Sequence, residues 1–231
     1  MASTIIDVTN INEKVYNYIK QNIIDFTFPA GHKLDIKNLS KTLGTSQTPI
    51  KDALARLSGE GLVEITSRIG SYVKNITEAD IHEILQSRII LESAVIEEIA
   101  EKLSDKQLDI IERIYKKSIS FAVNQDDFES YKEFMKCDSQ FHLSFFQIFG
   151  NSRLLNFYNN LNAHMQVVRF RLLNRNMGKL PNTDEDHKNI LDALSQRNAK
   201  RAKKAIIIHI QNLDRLVLTL QRRTKTQSLT D

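Results

Sequence analysis

The chain has 231 residues, a formal net charge of +4 and one cysteine, with 41% apolar and 26% charged side chains. That length suits two domains that each bury a core, the mild basic excess permits a polyanionic partner, and a lone Cys137 excludes an internal disulfide framework. No N-terminal leader and no run of about 18 apolar residues stands out, so the sequence reads as cytoplasmic with no membrane partner.

With no Trp, seven Gly and three Pro, few turns and much helix are expected. Residues 11–26 place Ile11, Val15, Tyr18, Ile19 and Ile23 on one helical stripe, with Asn10 and Glu13 as its cap. After the break at Pro29-Ala30-Gly31, Asp35 caps a short helix from Ile36 to Leu43. Gly44-Thr45-Ser46 forms a tight turn, and a further helix runs from about Thr48 to Glu60. Residues 62–66 and 71–74 are β-like around a turn at Arg68-Ile69-Gly70, which predicts a small hairpin. The first domain is therefore residues 1–75.

Everything beyond it reads as helix: from Thr77 to about Lys102, from Ser104 (boxed with Gln107) to about Val123, from Asp126 to Phe149, and from Asn151 to about Asn176. After a loop at residues 178–181, Thr183 with Asp186 starts a helix that ends near Ser195, and Asn198 caps a last one reaching Arg222. Residues 78–222 thus form an all-helical domain, and residues 223–231 form a polar tail. The fold class is mainly α, a winged helix-turn-helix domain followed by an all-α antiparallel bundle.

In a winged helix-turn-helix the second helix of the pair enters a major groove, and its N-terminal residues meet base edges. Here that end reads Ser46-Gln47-Thr48-Pro49-Ile50-Lys51. Ser46 or Thr48 can cap it, Pro49 suits a first turn, and Gln47, Thr48 and Lys51 are free to point outward. Ala53, Leu54 and Leu57 face the core. Lys37 and Arg56 can reach phosphates, and Ser67, Arg68 and Gly70 form the wing tip. Residues 31–74 resemble the GntR family of bacterial regulators, through Ser46-x-Thr48-Pro49 and the Glu60-Gly61-Leu62-Val63 lead into the wing. The resemblance implies binding of a double-stranded DNA operator by a homodimer, with repression the commoner outcome. The family usually carries Arg where this chain has Gln47 and Lys51. That departure leaves DNA binding in place but puts the family's usual operator sequence in question, because Gln favours adenine where Arg favours guanine.

In the second domain Asp138 and His142, four residues apart, share a helical face. His187 lies about eleven residues before the break at Arg197-Asn198 and His209 about eleven after it. On one continuous helix they would stand about 33 Å apart, at roughly 1.5 Å per residue. In a helical hairpin they come level. Such a set suits zinc or nickel and tolerates iron or manganese, with room left for water or a small acid. Solvated or core-lining polar groups at coincidental spacing are the alternative. His164 falls out of level and reads as a core or pocket histidine, His32 and His82 as surface residues, and Cys137 as a small buried one.

The pattern Asp138-x-x-x-His142, His187, His209, with Arg88-Ile-Ile-Leu-Glu92 and Gly150-Asn151, resembles the FCD ligand-binding domain of the FadR branch of GntR regulators over residues 78–222. The resemblance implies that Asp138, His142, His187 and His209 hold a divalent metal beside a small organic acid effector. Arg88, Asn162, Arg169 and Arg171 are the candidate contacts for that acid, each equally able to serve as an ion-pair partner or solvated group. The leading reading is a ligand-responsive, DNA-binding transcriptional regulator and not an enzyme. The rivals are a metal-dependent enzyme acting on a small acid, disfavoured because no further carboxylate or histidine is placed as a general base, and a regulator that senses the metal itself.

Overall fold

The structure is a computed structural model; it describes the backbone of residues 8–122, 128–175 and 184–227 and the side chains of residues 11–121, 129–169 and 184–215. The chain divides into two compact units, Met1–Thr77 and Glu78–Asp231.

The first unit holds α1 (Val8–Ile24), α2 (Ile36–Leu43), α3 (Gln47–Gly59) and a hairpin of β1 (Val63–Thr66) and β2 (Gly70–Val73). α1 packs along α3, burying Val15, Tyr16, Ile19 and Ile23 against Ile50, Ala53, Leu54 and Leu57. The stripe expected on α1 is corrected at two places. Ile11 and Tyr18 are exposed and Tyr16 is buried in their stead, because its ring carries Arg56 and its hydroxyl donates to Glu60. Asn10 lies within α1 and Glu13 pairs with Arg56, so neither forms the expected cap. Asp35 does cap α2, accepting from the Asn38 amide at 2.7 Å. Gly44 follows α2 with φ 61°, a left-handed conformation that glycine adopts without a Cβ penalty and that the tight turn requires.

The antiparallel hairpin pairs Val63 with Val73 and Thr66 with Gly70. The segment before α2 joins β2 from the other side, the Leu34 amide donating to Ser71 O at 2.8 Å and the Val73 amide to His32 O at 3.0 Å. Gly70 takes φ 148°, a backbone conformation that residues with a side chain rarely adopt, which favours glycine there.

The second unit is a bundle of α4 (Glu78–Ala100), α5 (Asp105–Ala122), α6 (Phe128–Phe149), α7 (Ser152–Arg175), α8 (Asp184–Ser195) and α9 (Ala199–Gln227). α4 packs along α9 and against α6 and α7, so it buries apolar residues on several sides and also Arg88 and Glu92. Three helix starts follow from local capping. Ser104 and Gln107 bond reciprocally ahead of α5, Asn151 accepts from the Arg153 and Leu154 amides, and Asn198 accepts from the Arg201 amide. The last helix runs to Gln227, past the end expected at Arg222, so residues 223–227 of the supposed tail are helical. The turn between α8 and α9 needs no glycine. Arg197 takes φ 53° itself, and the Asn198 amide closes onto Ala193 O at 3.0 Å. The expected loop at residues 178–181 lies outside the described residues.

Candidate functional site

The helical hairpin α8–α9 brings His187 and His209 level, with ring centroids 4.6 Å apart. α6 packs beside α5 and α4, and it points Asp138 and His142, one turn apart, at the same spot. The His142 ring lies 5.3 Å from that of His187 and 5.0 Å from that of His209, and His187 Nε2 lies 3.4 Å from Asp138 Oδ1. One ligand atom from each of Asp138, His142, His187 and His209 lies within 4.8 Å of the others, and all four residues are buried.

Asp138 Oδ1, His142 Nε2, His187 Nε2 and both ring nitrogens of His209 are buried without a hydrogen-bond partner. Burying an unsatisfied polar atom costs about 1–3 kcal/mol each. Four such groups, one carboxylate and three imidazoles aimed at one point, match a borderline divalent ion in number and type, so the residues fit a metal.

The protonation states agree with ligation. Burial and the nearby Arg88 push the His142 pKa down to about 4, against the pull of Glu92. Burial, and then the neighbouring His209 ring, hold His187 well below the usual histidine range. Burial alone would raise the Asp138 pKa, but Arg169, His142 and His187 together hold it far below the carboxylate range. Near neutral pH the site therefore presents a carboxylate together with neutral imidazoles at His142 and His187, the forms that ligate.

Around this cluster is a layer of charged groups. Arg169 Nη1 bonds to Asp138 Oδ2. His142 Nδ1 lies 2.7 Å from Glu92 Oε2, while Glu92 Oε1 receives Arg88 Nε at 2.6 Å and the Tyr158 hydroxyl at 3.1 Å. His209 Nδ1 faces Asp186 Oδ2 at 3.6 Å, and Asn212 Nδ2 donates to both Asp186 oxygens at 3.2 and 3.1 Å. Sequence reasoning missed Glu92, Tyr158 and Asp186 as parts of the site. The spacing of Arg88 and Glu92 by one turn in an apolar helix was a usable signal, and Asp186 was assigned to a helix cap.

Of the candidate acid contacts, Arg88 is buried and engaged with Glu92, and Arg169 is engaged with Asp138. Asn162 on α7 donates to the Ser139 hydroxyl, which Gln166 also reaches at 3.2 Å. Arg171 is in α7, but its side chain lies outside those described. His164 is half-buried on α7 outside the cluster, Cys137 is buried, His82 is exposed 3.5 Å from Asp214, and His32 is exposed and stacks on Phe28.

On the first unit, Lys37, Ser46, Gln47, Thr48, Lys51, Ser67 and Arg68 are all exposed, and Gly70 is half-buried. Ser46 stands exposed at the α3 N-cap without a side-chain cap bond. Arg68 holds φ 65° at the wing tip, beside the exposed Ile69. Arg56 is half-exposed but committed: it lies 3.6 Å over the Tyr16 ring and pairs with Glu13 at 2.8 Å and Glu60 at 3.5 Å.

Residues 11–73 match the family described as bacterial regulatory proteins, gntR family, and residues 83–212 match the FCD domain. The chain is 29% identical over 231 aligned positions to the Uxu operon regulator of Haemophilus influenzae, covering 90% of this chain and 83% of that protein. It is 24% identical over 213 positions to the transcriptional repressor RspR of Escherichia coli, covering 92% and 91% of the two chains. Among solved structures, McbR/YncC of E. coli superposes with a TM-score of 0.78 at 20% identity, covering 90% of this chain and 97% of that one, which supports the fold. The FCD match alone spans more than half of the sequence, and the gntR match precedes it. The chain belongs to the GntR family of bacterial transcriptional regulators, in the branch whose winged helix is joined to a helical FCD domain.

Proposed function

We propose that this regulator is a homodimeric, cytoplasmic repressor controlled by a small organic acid that binds at a divalent metal held by Asp138, His142, His187 and His209. The observation that carries the reading is the buried convergence of four otherwise unpartnered ligand atoms within 4.8 Å. Zinc or nickel suits three imidazoles and one carboxylate best, with iron or manganese compatible. When bound, the metal supplies positive charge to a site whose only anionic ligand is Asp138, and this favours an added anion. The protein's own residues do the rest. Asp138 holds one oxygen toward the site and gives the other to Arg169, His142 and His187 stay neutral, and Asn162 with Gln166 lines α7 beside Arg169 with amides able to orient an acid. Arg88 acts through Glu92 rather than on the acid.

The same reading assigns residues 1–75 to DNA binding and residues 78–222 to sensing and dimerisation. Gln47, Thr48 and Lys51 at the head of α3 read base edges, with Ser46 at its cap. Lys37 contacts phosphate, and Ser67, Arg68 and Gly70 form the wing contact. No described helix is long and apolar enough to cross a membrane. A tenfold change in operator affinity needs about 1.4 kcal/mol of coupling, within the normal range of allostery. The test is reciprocity: operator DNA shifts effector affinity by the factor by which the effector shifts operator affinity, and chelation abolishes both. An acid that acts fully on chelated protein contradicts the metal-bridged control.

A second reading, that the metal itself is the signal, draws support from Arg88 and Arg169, the two described candidate cations, both being spent on carboxylates of the protein. Metal addition alone, without any acid, would then change operator affinity.

A further inference from the structure

Two of the three clustered histidines have a carboxylate behind them. Glu92 is fully buried, and its Oε1 accepts from Arg88 Nε at 2.6 Å and from the Tyr158 hydroxyl at 3.1 Å, so the carboxylate is held as an acceptor with Oε2 turned to His142. The 2.7 Å contact with His142 therefore needs the imidazole proton on Nδ1, and Nε2 is left with a lone pair aimed into the cluster. On the far side of the site a similar but longer pairing, at 3.6 Å and short of a hydrogen bond, occurs with different parts. Asp186 sits on α8, next in sequence to the cluster member His187, yet its carboxylate faces Nδ1 of His209 on α9. Asn212, one turn beyond His209, clasps both Asp186 oxygens and fixes that carboxylate where the ring needs it.

Stability does not explain the Glu92 network. A buried Arg–Glu pair can often be replaced by apolar residues of similar size with no loss of stability. The geometry does explain it. An imidazole that ligates through one nitrogen is held in place, and made more basic, by an acceptor on the other. We infer that Glu92 and Asp186 are positioning residues for the metal centre: they take the Nδ1 protons of His142 and His209 and so turn both Nε2 atoms onto one divalent ion. Arg88 and Tyr158 hold Glu92 in turn, and Phe146 stacks on the Tyr158 ring at 4.0 Å, so the orientation of His142 is anchored in the α4–α6–α7 core. His209 is anchored independently, through α8. The inference rests on the metal reading above.

The test uses Co2+ as probe on the full-length protein, with Zn2+ in competition and the visible ligand-field bands of bound Co2+ as a second readout. Asp186→Ala weakens Co2+ binding by roughly 10–100-fold, and Asp186→Asn by less, because its amide oxygen still accepts from Nδ1. Arg88→Met/Glu92→Leu, which removes the buried pair without stranding a charge, weakens binding by a similar factor. In every variant the bands shift, which a purely structural role for these carboxylates would not produce. Should the buried double variant fail to fold, the two Asp186 variants decide. Co2+ affinity and bands unchanged in Asp186→Ala overturn the inference while leaving the metal centre standing. A wild-type protein that takes up no Co2+ overturns the metal centre, and the inference with it.

Discussion

Arg169 takes Oδ2 of Asp138 and leaves Oδ1 facing His187 at 3.4 Å, so the carboxylate is divided between a cation of the protein and the open cluster. Removing one partner of a buried ion pair costs about 3–5 kcal/mol, because the other charge is left uncompensated. Arg169→Met should therefore lower the melting temperature of metal-free protein sharply. A divalent ion beside Asp138 restores that compensation, so the rise in melting temperature on adding Zn2+ should be larger in the variant than in wild type. Calorimetry with and without Zn2+ checks this, and equal Zn2+-induced shifts would count against a shared role for Asp138.

Arg56 and Lys37, alike from the sequence, should separate in experiment. Lys37→Ala should weaken binding to all DNA sequences about equally and reduce the salt dependence by about one counterion-linked contact. Arg56 is tied to Tyr16, Glu13 and Glu60, so Arg56→Ala should instead cost about 1 kcal/mol of stability in urea unfolding and leave the salt slope unchanged. A salt slope lowered in Arg56→Ala as in Lys37→Ala would return Arg56 to phosphate contact.

Gln47 stands exposed at the first position of α3. Gln47→Ala should relax preference at one base pair, at a cost of about 1–3 kcal/mol for the preferred site. Selection from random duplexes with both proteins measures it. An unchanged motif would remove Gln47 from the reading surface.

The Tyr16–Lys20–Glu60 cluster gives an expectation in pH. Burial raises the Glu60 pKa, but hydrogen bonds from Lys20, at 2.8 Å, and Tyr16 bring it below its ordinary value of 4.5. A depressed carboxylate contributes stability that is present above its unfolded pKa and lost as pH falls through the folded one. Glu60→Gln should therefore lose less stability than wild type as pH falls from neutral through 4.5 and below. Tyr16 has the opposite sign. Burial and then Glu60 raise its pKa above 10.0, so its contribution is complete below that pH and fades above it. Urea midpoints across the range test both limbs.

Much of this is legible in the sequence. Asp35, Gln107 with Ser104, Asn151 and Asn198 signal helix starts by local chemistry, and each makes its bond. The convergence of His187 and His209 was legible only on the premise of a hairpin, and the turn that makes it uses Arg197 in a left-handed conformation that few sequence signals would flag. Tyr16 was misplaced because its burial comes from a charged cluster contributed by α3, which periodicity along α1 cannot see. Asp186 was missed for a similar reason: a carboxylate that faces a histidine on another helix leaves no spacing in its own, whereas Glu92 left a signal in its one-turn spacing from Arg88.

The metal content of the purified protein, read by native mass spectrometry for wild type and for the His187→Ala/His209→Ala double variant, tests the central claim most directly. Wild type should carry, or take up, about one divalent ion per chain, as a single four-ligand site requires, and the double variant should carry none. Equal metal content in the two proteins would contradict a metal centre at Asp138, His142, His187 and His209.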